Sequence, residues 1–517
     1  MSEQTKKINK ILLIGNGFDL RTGVKTTFKE FFRFVTYGVI WHNFNKSEYL
    51  KYFTSPYLPR GMKYEQYLSE KINNQVRVIA DIQREEERKN WEKEHKGEEL
   101  YPSKHPLEIL LEIEKEEKNN KEKQTVFDYC RKLIDTEFGQ KFFKYILDCD
   151  CLTSALRITL TGKGTKDETS ILDHLLAIYG VTDEKPRNNN DYIPEDATLG
   201  EGLETITHIF EANFEQKRKN IALWSDVETV IELLITRNKK LKTKYNIKNA
   251  DLPIWNDETL KSISEGLDIF EFLLTKYLKA ITQKLDIVKR FGSESMFLEN
   301  IYNAHENSMR MRCTERATLE YFMKPEDIIE LLNNPNMVIN YNYTDIAKRI
   351  YKNQPNIIHV HINGQIAPEF GFEPSKEGLK TNIVIGYTNH NNSDVPKELY
   401  HFEKSCRRIV KNTRFFRLKP NNDKVATFDL LIMGHSCCTA DSDIIGNLLT
   451  HEKLNNAIIL CHTIDDLISI NNNIKHILKP EIYYSLMTHG INGKGPSLFF
   501  AVEQLEEKNN VISEEKK

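Results

Sequence analysis

Apolar residues are arranged along this chain in two ways, unbroken short runs and helically spaced stripes. Ile11-Leu12-Leu13-Ile14 is an unbroken run that ends at Gly15. Such a run reads as a strand buried on both faces, the type found in parallel sheets. A helix is expected over residues 26–35, with Phe28, Phe31, Phe32 and Val35 on one side. Strand signals return at residues 337–340, 356–361, 382–386, 428–434 and 457–461. Helical patterns at 344–352, 396–411, 441–450 and 465–478 alternate with them. Strands alternating with helices of this length form βαβ units around a parallel sheet. The expected fold class is therefore α/β, a doubly wound, mostly parallel sheet of Rossmann-like type.

Residues 60–330 have a different texture, rich in Lys, Glu, Leu and Ile and poor in glycine. Helical spacing recurs there, as in Val126, Tyr129, Cys130, Leu133 and Ile134. The sheet is thus expected to be split in sequence. Residues 1–45 and 336–505 would form a discontinuous nucleotide-binding domain, 60–330 a helical insertion and 506–517 a charged tail. Two polar excursions interrupt the insertion. One is the charged stretch 84–99 with its echo at 112–123, read as a solvated helical face. The other is the loop 187–191.

Composition narrows the class. The 517 residues carry 72 basic and 75 acidic side chains, a formal charge of −3. A chain-wide nucleic-acid footprint is not expected from that balance. No apolar run reaches the ~20 residues of a membrane-spanning helix, and the start of the chain lacks a signal-peptide apolar region. A cytoplasmic protein without membrane contact is expected. Its eight cysteines include no Cys-x-x-Cys pair, which excludes a zinc ribbon and reads as small buried apolar residues.

Four motifs fall at expected strand carboxyl ends, where open α/β sheets bind ligands. The first is Gly15-Asn16-Gly17-Phe18-Asp19-Leu20-Arg21-Thr22-Gly23. Glycines there would let the backbone approach a phosphate, or would simply make a tight strand-to-helix turn. Leu20 stands where the dehydrogenase fingerprint needs its third glycine, and no P-loop exists. The second is Asn340-Tyr341-Asn342-Tyr343-Thr344-Asp345, whose Asn342 or Thr344 could bind ligand or cap the next helix. The third is His359-Val360-His361-Ile362-Asn363-Gly364, with both histidines and Asn363 on one strand face. A metal is not expected on that pair. The fourth is Gly434-His435-Ser436-Cys437-Cys438-Thr439-Ala440-Asp441, which could contact ribose or phosphate, or supply Asp441 as a helix cap.

In this order the four motifs resemble the abortive-infection AbiH family of bacterial phage-defence proteins. The opening looks like that family's Gly-Asn-Gly-Phe-Asp-Leu, followed here by Gly23, Thr26 and Phe28. Asn342-Tyr343-Thr344 is similar to its later Asn-Tyr-Thr, and Gly434, His435, Ser436 and Asp441 to its Gly-His-Ser with a later Asp. Trp224-Ser225-Asp226-Val227-Glu228 resembles an internal Trp-x-Asp-x-Glu, and also reads as a capping box. The family in turn looks distantly like sirtuin-type NAD-binding domains. Gly15, Gly17 and Gly23 have the spacing of the sirtuin glycine loop, and Asn342 with Asp345 resembles its Asn-x-x-Asp. Asn363 stands where a sirtuin has its base histidine, and the sirtuin zinc module is missing.

The resemblance implies a phage-defence effector that binds NAD, as substrate or ligand, and hydrolyses its nicotinamide–ribose bond. Asn342 and His361 would be catalytic. Gly15, Asn16, Gly17, Asp19, Gly23, Thr344, Asn363, Gly434, His435, Ser436 and Asp441 would hold the nucleotide. A phage-derived trigger and a homo-oligomer would be the partners. A second reading is a non-catalytic NAD or ADP-ribose sensor. A third is a nucleic-acid effector, resting on the acid-free run Lys404, Arg407, Arg408, Lys411, Arg414, Arg417 and Lys419. The plain reading of that run is a basic helix face.

Overall fold

In a computed structural model, Ile11, Leu12, Leu13 and Ile14 are fully buried and belong to strand β1 (Ile8–Ile14), in the middle of a six-stranded sheet. A strand that is apolar on both pleats needs cover on both faces. On one side β1 pairs with β2 (Met337–Asn340), and β2 with β3 (Ile357–His359). The separate hairpin β4 (Pro374–Ser375) and β5 (Gly378–Leu379) is antiparallel. On its other side β1 pairs with β6 (Val425–Met433), followed outward by β7 (Leu454–Cys461) and β8 (Ser497–Val502). Every pairing within the large sheet is parallel, so the fold is α/β. With the hairpin set aside, the strands lie in the order third, second, first, fourth, fifth, sixth. The chain reverses its direction of travel across the sheet between β1 and β6.

Alternation along each strand sends one set of side chains to each face. Ile11, Leu13, Ile339, Ile432 and Ile459 share a core with Ile444, Ile445 and Leu448 of the helix Ser442–Leu449 and with Ile470 and Ile474 of the helix Ile464–Ile477. The helix Pro325–Asn333 packs against β1 and β6, and Glu294–Thr314 against β8.

The structure describes residues 8–28, 30–32, 34, 35, 38, 106–119, 125–136, 138, 139, 228, 231, 257–283, 285–314, 325–353, 356–361, 374, 375, 378, 379, 383–386, 402–410, 418, 425–438, 441–488 and 496–503. The stretch 84–99, the loop 187–191, residues 224–227, Asn363, Gly364, Thr439, Ala440, the tail 506–517, Cys149, Cys151 and the cations Lys411, Arg414, Arg417 and Lys419 lie outside them. No helix among the described residues is long and apolar enough to cross a membrane.

The chain forms two units. The sheet belongs to residues 1–22, 285–368 and 408–517. The second unit comprises residues 23–284 and 369–407. It is built from long amphipathic helices, among them Val126–Asp135, which Thr125 opens with a capping box, and Asp257–Thr282. Phe31 meets Phe270 edge-on at 5.0 Å between ring centroids, and the Tyr277 hydroxyl donates to the Lys25 carbonyl at 2.6 Å.

Two expectations are corrected here. The described part of the run 382–386, residues 383–386, is no strand of the large sheet, and among these residues only Ile383 makes a bridge, an isolated one. Ile383, Val384 and Ile385 are buried, and the Ile385 N–H donates to the Glu271 carboxylate at 2.9 Å. A buried extended segment whose amide bonds a side chain has the same apolar signature as a strand. The described part of the basic run is not an exposed face either. Lys404, Arg407 and Arg408 are all buried. Lys404 pairs with Glu228 at 2.7 Å, Arg407 with Glu271 at 2.8 Å, and Arg408 with Asp443 at 3.0 Å.

Candidate functional site

β1, β2, β3 and β6 all end at the same edge of the sheet, and each is followed by one of the four polar motifs. Asp19 follows β1 on the helix Asn16–Arg21 and is fully buried. Asn342 Nδ2 donates to its Oδ1 at 2.7 Å and the Thr344 hydroxyl to its Oδ2 at 2.5 Å. Asn342 and Thr344 come from the loop after β2. Asn340 shapes that loop by accepting the Asn342 N–H at 2.9 Å and bonding His359 Nδ1 at 3.0 Å. The next helix begins at Asp345 with no side-chain cap, and Thr344 Oγ1 reaches only the Ile346 N–H, at 3.5 Å, besides Asp19.

Removal from water pushes the Asp19 carboxyl up to about 7, against the lowering effect of its two hydrogen bonds. In the unfolded chain it ionises near 3.8. Between those values the folded chain holds the extra proton. The stability from this group is therefore full below about pH 4 and is lost as pH rises through 7. Between pH 5.5 and 8 the loss amounts to about 2 kcal/mol. Denaturant unfolding of the parent and Asp19→Asn at both pH values should show the parent losing that much more stability than the variant.

A second cluster lies beside the first. His361 sits two residues past β3, and its Nε2 faces Asp441 Oδ1 at 3.2 Å. A carboxylate accepts, so this nitrogen carries the proton and Nδ1 is the basic one. Asp441 stands at the start of the helix Ser442–Leu449 without making a side-chain cap. Its Oδ2 lies 3.5 Å from His435 Nε2, and Arg408 lies 3.8 Å from its Oδ1. The Cys437 N–H donates to His435 Nδ1 at 2.9 Å, which places the His435 proton on Nε2 as well. Tyr341 joins the clusters, its ring 5.3 Å from that of His361 and 4.4 Å from that of His435. Tyr343 stacks on His361 at 5.2 Å. Cys437 adopts a left-handed φ of 49°, and burial pushes its thiol well above the usual range, so it is no nucleophile.

The glycine amides after β1 are engaged within the protein. The Gly15 N–H donates to the Met433 carbonyl at 3.0 Å and the Gly17 N–H to the Gly434 carbonyl at 2.9 Å. Both amides serve the contact between the loops after β1 and β6. A Cβ at Gly17 would lie 2.6 Å from Gly434 Cα, and one at Gly15 would lie 2.6 Å from the Gly434 carbonyl oxygen. The absent side chains at Gly15 and Gly17 admit Gly434. Gly23, with a φ of 79°, follows the C-cap Thr22 and ends the helix Asn16–Arg21.

Asp19, Asn342 and Thr344 thus form one hydrogen-bonded group, and His361 and Asp441 a hydrogen-bonded pair with His435 Nε2 3.5 Å from the same carboxylate. Asn16 is the first residue of its helix and half-buried, and the Ser436 carbonyl accepts from Asn473 at 2.9 Å. Asn340, Tyr341 and Arg408 are further members of these clusters. Asn340 and Tyr341 stand inside a motif already singled out, whereas Arg408 is hidden in the basic run.

Fold and site define a parallel α/β protein with a buried acid, amide and histidine cluster at its strand carboxyl ends. The chain belongs to the bacteriophage abortive infection AbiH family, whose pattern matches residues 11–462. A role in phage abortive infection goes with that family. Among curated proteins, the chain is 25% identical over 333 residues to a Dictyostelium discoideum protein described as "Probable serine/threonine-protein kinase fnkE", covering 59% of this chain. The chain spans about a quarter, 24%, of that relative's length. No solved structure matches it.

Proposed function

We propose that this AbiH protein is an effector that hydrolyses NAD at the nicotinamide–ribose bond, at the carboxyl ends of β1, β2, β3 and β6. The supporting observation is the position of the clusters. The strand order is that of doubly wound dinucleotide-binding sheets, which bind ligands where the order reverses. That reversal lies between β1 and β6, whose following loops supply Asp19, His435 and Asp441.

In the reaction the C1′–N bond breaks, nicotinamide leaves with the bonding pair, and a water oxygen bonds C1′ through an oxocarbenium-like state. His361 Nδ1 takes the water proton, and the protonated ring is stabilised by Asp441. Asn342 holds the ribose or the water. Infection would supply the trigger, since constant depletion would harm the host. Asn363, standing before Gly364 where a sirtuin has its base histidine, favours the second reading, a sensor that binds NAD or ADP-ribose without turnover. Incubating the purified protein with NAD decides between them. Nicotinamide and ADP-ribose should appear in equal amounts, whereas binding without products selects the sensor.

Asn342→Ala should abolish protection of cells against phage while lowering stability by only about 1–2 kcal/mol, the loss of one buried hydrogen bond. Protection assays and denaturant unfolding of the variant check both halves.

A further inference from the structure

We infer that Asp19 is a positioning residue rather than a nucleotide contact: it turns the Asn342 amide so that the Asn342 carbonyl is the acceptor offered to a hydroxyl or water of the substrate. The inference rests on the reading of the site given above and adds a role within it.

The orientation of a buried amide is decided by its partners. An ionised carboxylate can only accept, so the Asn342 atom 2.7 Å from Asp19 Oδ1 is the amide nitrogen. The carbonyl oxygen must then point the other way. Asn342 is 2% exposed, and its Oδ1 is buried with no hydrogen-bond partner among the described residues. A buried acceptor left unmade is costly, so the site is built for a donor. The group that satisfies it must donate, which selects O–H over a phosphate oxygen. A ribose hydroxyl and a water share that chemistry. The frame is rigid, because Asn340 holds the Asn342 N–H and Thr344 holds the second Asp19 oxygen.

Protonation would undo the arrangement. A neutral Asp19 gains an O–H that needs an acceptor, and a flipped Asn342 would offer its carbonyl to it. The substrate would then meet an N–H₂ instead of an acceptor. Asp345 is the charge acting on Asp19, and it is itself paired with Arg349 at 2.9 Å. Its repulsion favours the neutral form, as burial does.

The test uses the full chain labelled with ¹⁵N-asparagine, with the Asn342 side-chain amide signal assigned by its loss in Asn342→Ser. In the parent this signal should titrate with a midpoint near 7. It should not titrate in Asp19→Asn. In Thr344→Val, which removes a bond to the ionised form, the midpoint should rise by about one unit. NAD turnover of the parent should rise with pH through the same midpoint, and Asp19→Asn should be at least ~10-fold slower with a flat profile in that range. An Asn342 amide that does not respond to pH in the parent overturns the inference. So does an Asp19→Asn protein with the parent's rate and profile, or a Thr344→Val midpoint equal to the parent's. If the parent does not turn NAD over, the hydrolase reading fails, and the amide titration still decides the role of Asp19.

Discussion

His361→Gln is expected to lower NAD turnover by ~10²-fold or more, whereas His359→Gln should mainly lower stability, by about 1–2 kcal/mol. The two histidines are separated by one residue but hold different positions. His359 lies within β3 and bonds the Asn340 amide, which shapes the loop carrying Asn342. His361 lies beyond the strand, stacked against Tyr343 and oriented by Asp441. Glutamine keeps approximate size and hydrogen bonding but cannot take up a proton near neutral pH. Asp441→Asn should resemble His361→Gln, because an amide in place of the carboxylate can donate to Nε2 and drive the proton to Nδ1. Turnover and thermal unfolding of the three variants form the check. Equal turnover in the two histidine variants rejects His361 as the base.

Gly434→Ala should destabilise the sheet unit by about 3 kcal/mol or more, a large share of the ~5–15 kcal/mol that separates folded from unfolded chains. Gly434 has a φ of 64°, where a side chain is strained in itself. The added Cβ would also lie 2.6 Å from the Gly17 carbonyl carbon and in contact with the Phe18 amide nitrogen. These neighbours are backbone, so they cannot turn aside. Gly17→Val meets the same obstacle from the other side, against Gly434 Cα at 2.6 Å. It is therefore expected to unfold the protein, not merely to obstruct a phosphate. Denaturant midpoints of both variants measure the effect. A folded Gly17→Val with the parent's midpoint would show that the two loops can separate.

The strands were legible because burial on both faces leaves an unbroken apolar run, as in Ile11–Ile14 and in Leu430–Met433. The same signal misled at 382–386, since a buried extended segment bonded to Glu271 is equally apolar. β8 carries the signal too, in Leu498-Phe499-Phe500-Ala501-Val502, but it has no polar motif after it to draw notice. Its importance emerges only through Glu503, which binds Arg21 of the first helix and His462 after β7. Residue types at the site were legible and their partnerships were not. Nothing local tells Asp19 that its donor stands 323 positions away, or His361 that its carboxylate stands 80 away. Gly17 shows the same gap. Its need for no side chain is visible in sequence, but whether a phosphate or Gly434 demands it depends on what the other loop brings.

The central place of β1 has a consequence for how the protein comes into being. β1 leaves the ribosome first, yet its neighbours β2 and β6 are made more than 300 and more than 400 residues later. At ~5–20 residues per second, the strand waits tens of seconds for either partner. Throughout that interval an apolar segment with open edges on both sides must be kept from aggregating. A nascent chain halted anywhere before residue 425 has no completed centre to its sheet and lacks the loop that carries Gly434 and Asp441. A chain halted there would therefore lack both the centre of its sheet and half of the candidate site.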